Sequence, residues 1–215
     1  MSAQTEVSRE NIDSRITKLE EQLNIPERHK MMIAVTESIF PRLEGLSILD
    51  IACGHNFPIF SWLQDNNSGP LLAGYFASKG AAVSGLDILH FRRDKLFEKY
   101  PFKKIRGQAE EIRKYFEKEQ FDLVTSCAFF GYCSSKDGRR PSSITEWSIM
   151  KQARDVTKQG GYGIHLLIDG DWQLKPEDLE SLGYKIIKYL GNYAENFKMQ
   201  EKPIGYDNII IVQKI

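Results

Sequence analysis

Apolar residues along the chain fall into helical stripes alternating with short, nearly unbroken runs. Over residues 12–23, Ile16, Leu19 and Leu23 return at three- and four-residue steps among Arg15, Lys18, Glu20 and Glu21, which predicts an amphipathic helix. Pro26 suits the first turn of a second helix, with Met31, Met32, Val35, Ile39 and Phe40 as its face and Pro41 as its end. Residues 46–54 are of another kind: Leu46, Ile48, Leu49 and Ile51, with one carboxylate at Asp50, read as a strand buried on both faces that stops at a ligand. Gly54 at its exit lets the backbone turn and a small molecule approach the main chain. A helix over 71–79, stopped by Gly80, leads to a second apolar run over 81–87 that also ends in an acid, Asp87.

The remainder keeps this alternation. Residues 88–100 predict a charged helix around Leu96 and Phe97, 102–106 a brief strand, and 111–119 an exposed helix over Ile112, Tyr115 and Phe116. A fourth strand over 121–126 precedes a helix over 144–158, capped by Ser142 or Ser143, with Gly160-Gly161 breaking it before a fifth strand over 162–169. A short helix over 175–183 has proline early and glycine late. The last two β-rich runs, 184–190 and 208–213, are joined by residues too few and too polar for a crossover helix, so they should pair antiparallel. The predicted fold is a Rossmann-like doubly wound α/β sheet, mostly parallel, ending in an antiparallel hairpin, with an N-terminal helical cap. Residues 1–45 form a helical extension packed on the same domain as 46–215; they either cover the pocket or only pack on the sheet. A length of 215 residues suits one domain.

Spacing adds chemistry to the pattern. In dinucleotide-type sites an acid that accepts from ribose hydroxyls follows the glycine loop by roughly 20 residues. Asp87 lies too far beyond Gly54 for this and at the right remove from Gly69, so residues 55–67 read as an insertion over the ligand edge. Its first half is apolar, with Phe57, Ile59, Phe60, Trp62 and Leu63, and suits either a lid or acceptor-pocket wall, or a short helix that only adds core. His55 has the intrinsic pKa of a general base, and Asp169 and Trp172, after the fifth strand, fall on the ligand edge where they could orient an acceptor. His165 falls within a strand and should face the core or a helix.

Charge narrows the partners. Lys plus Arg and Asp plus Glu number 29 each, so nothing advertises a polyanionic partner, and the pairs Arg92-Arg93, Lys103-Lys104 and Arg139-Arg140 read first as solvated surface. Cys53, Cys127 and Cys133 show no metal-ligand spacing with the four histidines, so no metal is expected, and a reducing cytoplasm is the simplest setting. No apolar stretch approaches bilayer length, and the polar, acidic start does not read as a signal peptide. A cytoplasmic protein without membrane partners is therefore expected.

Five segments, in order, resemble the class I S-adenosylmethionine-dependent methyltransferases: Ile48 through Gly54, Val83 through Ile88, Gly107-Gln108-Ala109-Glu110-Glu111, Phe121 through Ser126, and Lys158 through Tyr162. The resemblance implies S-adenosyl-L-methionine as cofactor, its amino-acid end near Asp50, Ala52, Gly54 and Gly69, its ribose on Asp87 beside Ile88, and its adenine at Gln108 and Ala109. Ser126 and Phe129 would lie beneath the reacting centre, and Phe57, Trp62, Tyr132 and Trp172 against the acceptor. Two departures stand out: Ala52-Cys53-Gly54 where the family has Gly-x-Gly, and His55-Asn56-Phe57-Pro58 in place of small residues. The implied activity is in-line methyl transfer to a small-molecule acceptor. The alternatives are an RNA or protein methyltransferase, or a non-enzymatic S-adenosylmethionine-binding module. A nicotinamide-dependent dehydrogenase fits less well, lacking Gly-x-Gly-x-x-Gly and having the closing hairpin.

Overall fold

The computed structural model describes residues 8–22, 27–53, 70–88, 97–127, 143–167, 174–190 and 208–215. Among these, seven strands form one sheet: β1 (Ser47–Ile51), β2 (Ala82–Asp87), β3 (Lys103–Arg106), β4 (Phe121–Cys127), β5 (Thr157–Leu167), β6 (Tyr184–Leu190) and β7 (Asn208–Lys214). Their order is β3-β2-β1-β4-β5-β7-β6. The first five run parallel, and β7 pairs antiparallel with both β5 and β6. The predicted fold class is therefore observed. The connection direction reverses between β1 and β4, which opens a crevice at the carboxyl ends of those strands.

Alternation along each strand divides the core in two. Ile48, Val83, Leu123, Ile164 and Ile209 face α1 (Arg9–Gln22), α2 (Glu27–Ile39) and α3 (Leu71–Ser78), with Met32, Val35, Leu72 and Phe76 in the same cluster. Leu49, Ile51, Val124, Leu167 and Ile210 face the other way, into Ile149, Met150 and Ala153 of α5 (Ser143–Val156) and Leu179 of α6 (Pro176–Ser181). The N-terminal helices lie on the first face, tied to α3 through Glu37, whose carboxylate accepts from Arg15 Nη1 (3.2 Å) and from the Tyr75 hydroxyl (2.6 Å). At the amino edge, the Asp122 carboxylate accepts from the Ser47 N–H (2.8 Å), the Ser47 hydroxyl (2.6 Å) and Lys158 Nζ (2.8 Å), fastening β1 to β4 and β5. Among the described residues, no helix is long and apolar enough to cross a membrane.

Three expectations are corrected. The exposed helix over 111–119 is instead a 3-10 turn, Ala109–Glu111, and one turn of α4 (Ile112–Tyr115). Phe116 leaves helical geometry to bury its ring against Phe121, at a centroid distance of 5.1 Å, and that contact outweighs continued helix. The helix over 144–158 ends at Val156, and β5 begins at once at Thr157, which pairs with Phe121 before the glycines rather than after them. Gly160 adopts φ +74° where the pairing shifts register, so Gly160-Gly161 bends a continuous strand instead of separating it from the helix. Of the predicted 88–100 helix, residues 89–96 lie outside the described residues, and Phe97–Tyr100 closes as a turn through Tyr100 N–H to Phe97 C=O (2.8 Å).

Candidate functional site

The carboxyl ends of β1, β2, β3 and β4 bring the described candidates to one edge. Asp50 is the penultimate residue of β1, 2% exposed, and accepts from Thr125 Oγ1 on β4 at 2.9 Å and from the Ala73 N–H in the first turn of α3. The register sets Asp50 level with Thr125, and alternation puts both on the α3 face. Burial pushes the Asp50 carboxyl up to about 7, with the nearby Asp87 charge adding to the rise, against the two hydrogen bonds.

The turn after β1 holds the first of the two departures noted in the sequence. Ala52 occupies the first glycine position and adopts φ +57°, the left-handed region, with its N–H donating to Leu86 C=O at 2.7 Å. This bond ties the turn to β2, and an alanine bears the conformation that a glycine would adopt freely. Cys53 then turns its Sγ over Gly85, where a Cβ would stand 2.5 Å from the sulfur. Burial raises the Cys53 thiol well above its ordinary pKa, as do Asp50 and Asp87, so it is a packed thiol and not a reactive thiolate.

Asp87 ends β2, 5% exposed, and its carbonyl accepts the Gly107 N–H at 2.9 Å, joining the exits of β2 and β3. Arg106 Nε adds a bond to Ile88 C=O at 3.2 Å. Ile88 is 52% exposed, beside an exposed Gln108 and a buried Ala109. Gly107 leaves room for the Tyr115 ring, which a Cβ would meet at 2.4 Å. An acid, an exposed apolar side chain and an exposed amide thus share the edge of β2 and β3.

Ser126 is level with Ile51, the last residue of β1, on the α5 face; it is fully buried, and its hydroxyl lies 2.9 Å from Nδ1 of His165. His165 does lie within a strand facing the core, and burial lowers its pKa to about 3. Sequence reading missed both Thr125 as the anchor of Asp50 and His165 as the partner of Ser126. Parity with strand pairing carries the signal for each, once the β1-β4-β5 order is known. Gly54, His55, Phe57, Trp62, Gly69, Phe129, Tyr132, Asp169 and Trp172 lie outside the described residues. Among the described residues, no group of three or more His, Cys, Asp or Glu stands close enough to hold a metal ion.

Two surface cavities lie elsewhere. One of about 430 Å³ is lined by Lys103, Arg113, Lys114 and Lys118, and one of about 380 Å³ by Ser47, Ala82 and Phe102 with their neighbours. Both flank the amino ends of the strands, away from Asp50, Asp87 and Ser126, so neither is the candidate site.

No protein-family model matches the sequence, and no curated protein matches it. Solved structures do. A TehB-like SAM-dependent methyltransferase from Corynebacterium glutamicum superposes with a TM-score of 0.56 at 18% identity, over 95% of this chain and 96% of that one. A SAM-dependent methyltransferase from Aquifex aeolicus gives 0.55 at 12% identity, over 93% and 98%. A 1,6-didemethyltoxoflavin-N1-methyltransferase from Burkholderia thailandensis, with bound 1,6-didemethyltoxoflavin and S-adenosylhomocysteine, gives 0.57 at 10% identity, over 100% and 91%. With the strand order and the closing antiparallel pair, these likenesses show that the chain has the fold of the class I S-adenosylmethionine-dependent methyltransferases.

Proposed function

We propose that this protein is an S-adenosylmethionine-dependent methyltransferase acting on a small-molecule acceptor. The observation that carries the reading is the grouping of buried Asp87, exposed Ile88 and exposed Gln108 where β2 and β3 end, beside the crevice of a methyltransferase fold. When bound, S-adenosylmethionine supplies an electrophilic methyl group on a sulfonium. Asp87 accepts hydrogen bonds from the ribose diol, Gln108 both donates to and accepts from the adenine edge, and Ile88 offers an apolar surface to the base. Asp50, fixed by Thr125 and Ala73, stands ready to accept from the methionine ammonium, a cation that would favour its ionised form. Direct displacement needs alignment and exclusion of water more than covalent help, which suits buried, hydrogen-bonded side chains. His55 and Asp169 are the candidates for taking a proton from the acceptor or orienting it, and Phe57, Trp62, Tyr132 and Trp172 for its apolar wall.

The balanced charge of 29 basic and 29 acidic residues supports a small acceptor over a polyanion, as does the small-molecule methyltransferase among the fold neighbours. For the RNA reading, the described cations Lys103, Arg113, Lys114 and Lys118 gather at the amino edge, a strand length away from the methyl-transfer edge. Calorimetric titration with S-adenosylmethionine and S-adenosylhomocysteine tests the proposal. Saturable binding by the native protein, lost in Asp87→Ala with its melting temperature retained, is expected. A folded native protein that binds neither ligand overturns the reading.

A further inference from the structure

The turn that carries Gln108 and Ala109 hangs between two supports. On one side the Gly107 N–H donates to Asp87 C=O at 2.9 Å, which ties the turn to the exit of β2. On the other, Ala109 and Ile112 are buried in the α5 cluster with Ile149, Met150 and Ala153. Beside those apolar contacts stands a polar one. Gln152, half-buried on the flank of the inward stripe of α5, accepts from the Arg113 N–H at Oε1 (3.1 Å) and donates from Nε2 to Glu110 C=O. A main-chain N–H can only donate and a carbonyl can only accept, so the partners themselves fix which end of the amide faces which. An ionised glutamate would lose the donor and an aliphatic side chain would lose both groups, whereas a neutral amide of this length answers the two at once.

The Glu110 C=O and the Glu111 N–H belong to one planar peptide group. That N–H donates to Gln108 C=O at 3.1 Å, and this carbonyl in turn belongs to the peptide that joins Gln108 to Ala109. Gln152 is therefore linked, through two peptide planes in series, to the pair of residues proposed to meet the adenine, and hydrogen bonds in such a chain strengthen one another. The Gln108 side chain makes no capping bond to the turn, and its amide is exposed. Taking the S-adenosylmethionine reading as its basis, we infer that Gln152 is a positioning residue for the base: by holding the peptide between Glu110 and Glu111 it fixes where Gln108 and Ala109 stand, and so sets the preference of the site for adenine over a purine with a different hydrogen-bonding edge. Helix α5 thereby takes part in base selection without touching the base.

Two ligands test this: S-adenosylhomocysteine, and S-inosylhomocysteine, in which a carbonyl replaces the exocyclic amino group of the base. Each is titrated calorimetrically into native protein, Gln152→Met, Gln108→Ala and the double variant. Native protein should prefer the adenine ligand. Gln152→Met, which keeps the length and removes both hydrogen-bonding groups, should lower that preference about threefold to tenfold, the worth of one hydrogen bond. Gln108→Ala should lower it comparably, and the double variant no further, because one residue acts through the other. By reciprocity, adenine binding must tighten the clamp. In native protein, exchange of the Arg113 amide hydrogen should therefore slow more under S-adenosylhomocysteine than under S-inosylhomocysteine, each at the same multiple of its dissociation constant, a readout that does not depend on any variant folding. Equal affinity of native protein for the two ligands, an unchanged preference in folded Gln152→Met, additive losses in the double variant, or equal Arg113 exchange under both ligands overturns the inference and leaves the cofactor reading intact. A native protein that binds neither ligand removes the cofactor reading, and the inference with it.

Discussion

Asp50 makes the stability of this protein fall as pH rises through neutrality. Its carboxyl titrates at about 7 in the fold against an ordinary 3.8, chiefly because it is buried. Between those values the native state holds a proton that the unfolded chain has released, so stability declines at about 1.4 kcal/mol per pH unit. From about pH 5 to about pH 8 the loss comes to about 3 kcal/mol, and above that the curve is flat. Asp50→Asn removes the ionisation while leaving an oxygen to accept from Thr125. Urea denaturation of both proteins across that range measures the difference directly. Buried His165 and half-buried His29, lowered to about 3 and about 4, act in the opposite sense below their unfolded pKa, but identically in both proteins. Asp122 is pushed up by burial, yet its bonds from Lys158 and Ser47 bring it below the ordinary value, so its contribution is lost only in acid, outside the window. Native protein should thus lose about 3 kcal/mol relative to the variant over the pH rise, and parallel profiles for the two would refute the reasoning.

Three further outcomes follow from the same site. Ala52→Gly relieves a left-handed alanine that costs roughly 1–2 kcal/mol, partly offset by glycine's freer unfolded state. A melting temperature raised by about 2–3 °C is expected, and a lowered one would show that the strain argument fails. Gly85→Ala drives a Cβ to 2.5 Å from Cys53 Sγ and 2.9 Å from Phe102, and should cost about 1–3 kcal/mol in urea denaturation. Adding Cys53→Ala should recover part of that loss, and additive effects of the two changes would contradict the contact. Thr125→Val keeps shape but removes the donor to Asp50, and should destabilise by about 1–3 kcal/mol at about pH 8 and by less at about pH 5; a loss independent of pH would place the effect in packing.

The central strands were legible because they are buried on both faces: Ile48, Leu49 and Ile51 admit few other readings, and the acids Asp50 and Asp87 stand at or one residue before the ends of their strands. The helix over 111–119 misled because its apolar spacing suits a helix equally well, while Phe116 is claimed by Phe121 across the next turn. Gly160-Gly161 looked like a boundary since local rules make glycine a breaker, yet tertiary pairing of Thr157 with Phe121 had already begun the strand. Thr125 and His165 escaped notice for a related reason. Each acts on a residue distant in sequence, and only the order in which strands lie side by side brings the partners together.

That order also bears on how the protein is made. β7 follows β6 in the chain yet lies between β5 and β6, so the longest strand of the sheet keeps a bare edge until residues 208–214 arrive. On a ribosome, a nascent chain that had emerged only through β6 would hold a parallel half-sheet with Ile164 and Leu166 beside an unpaired ladder, and β6 with no strand to join. The closing step is one event in which β7 slots in and satisfies two neighbours at once. Stalling or premature termination just before residue 208 should therefore yield a chain that recruits chaperones or pairs with its own kind at β5, while β1 to β4 are already in place.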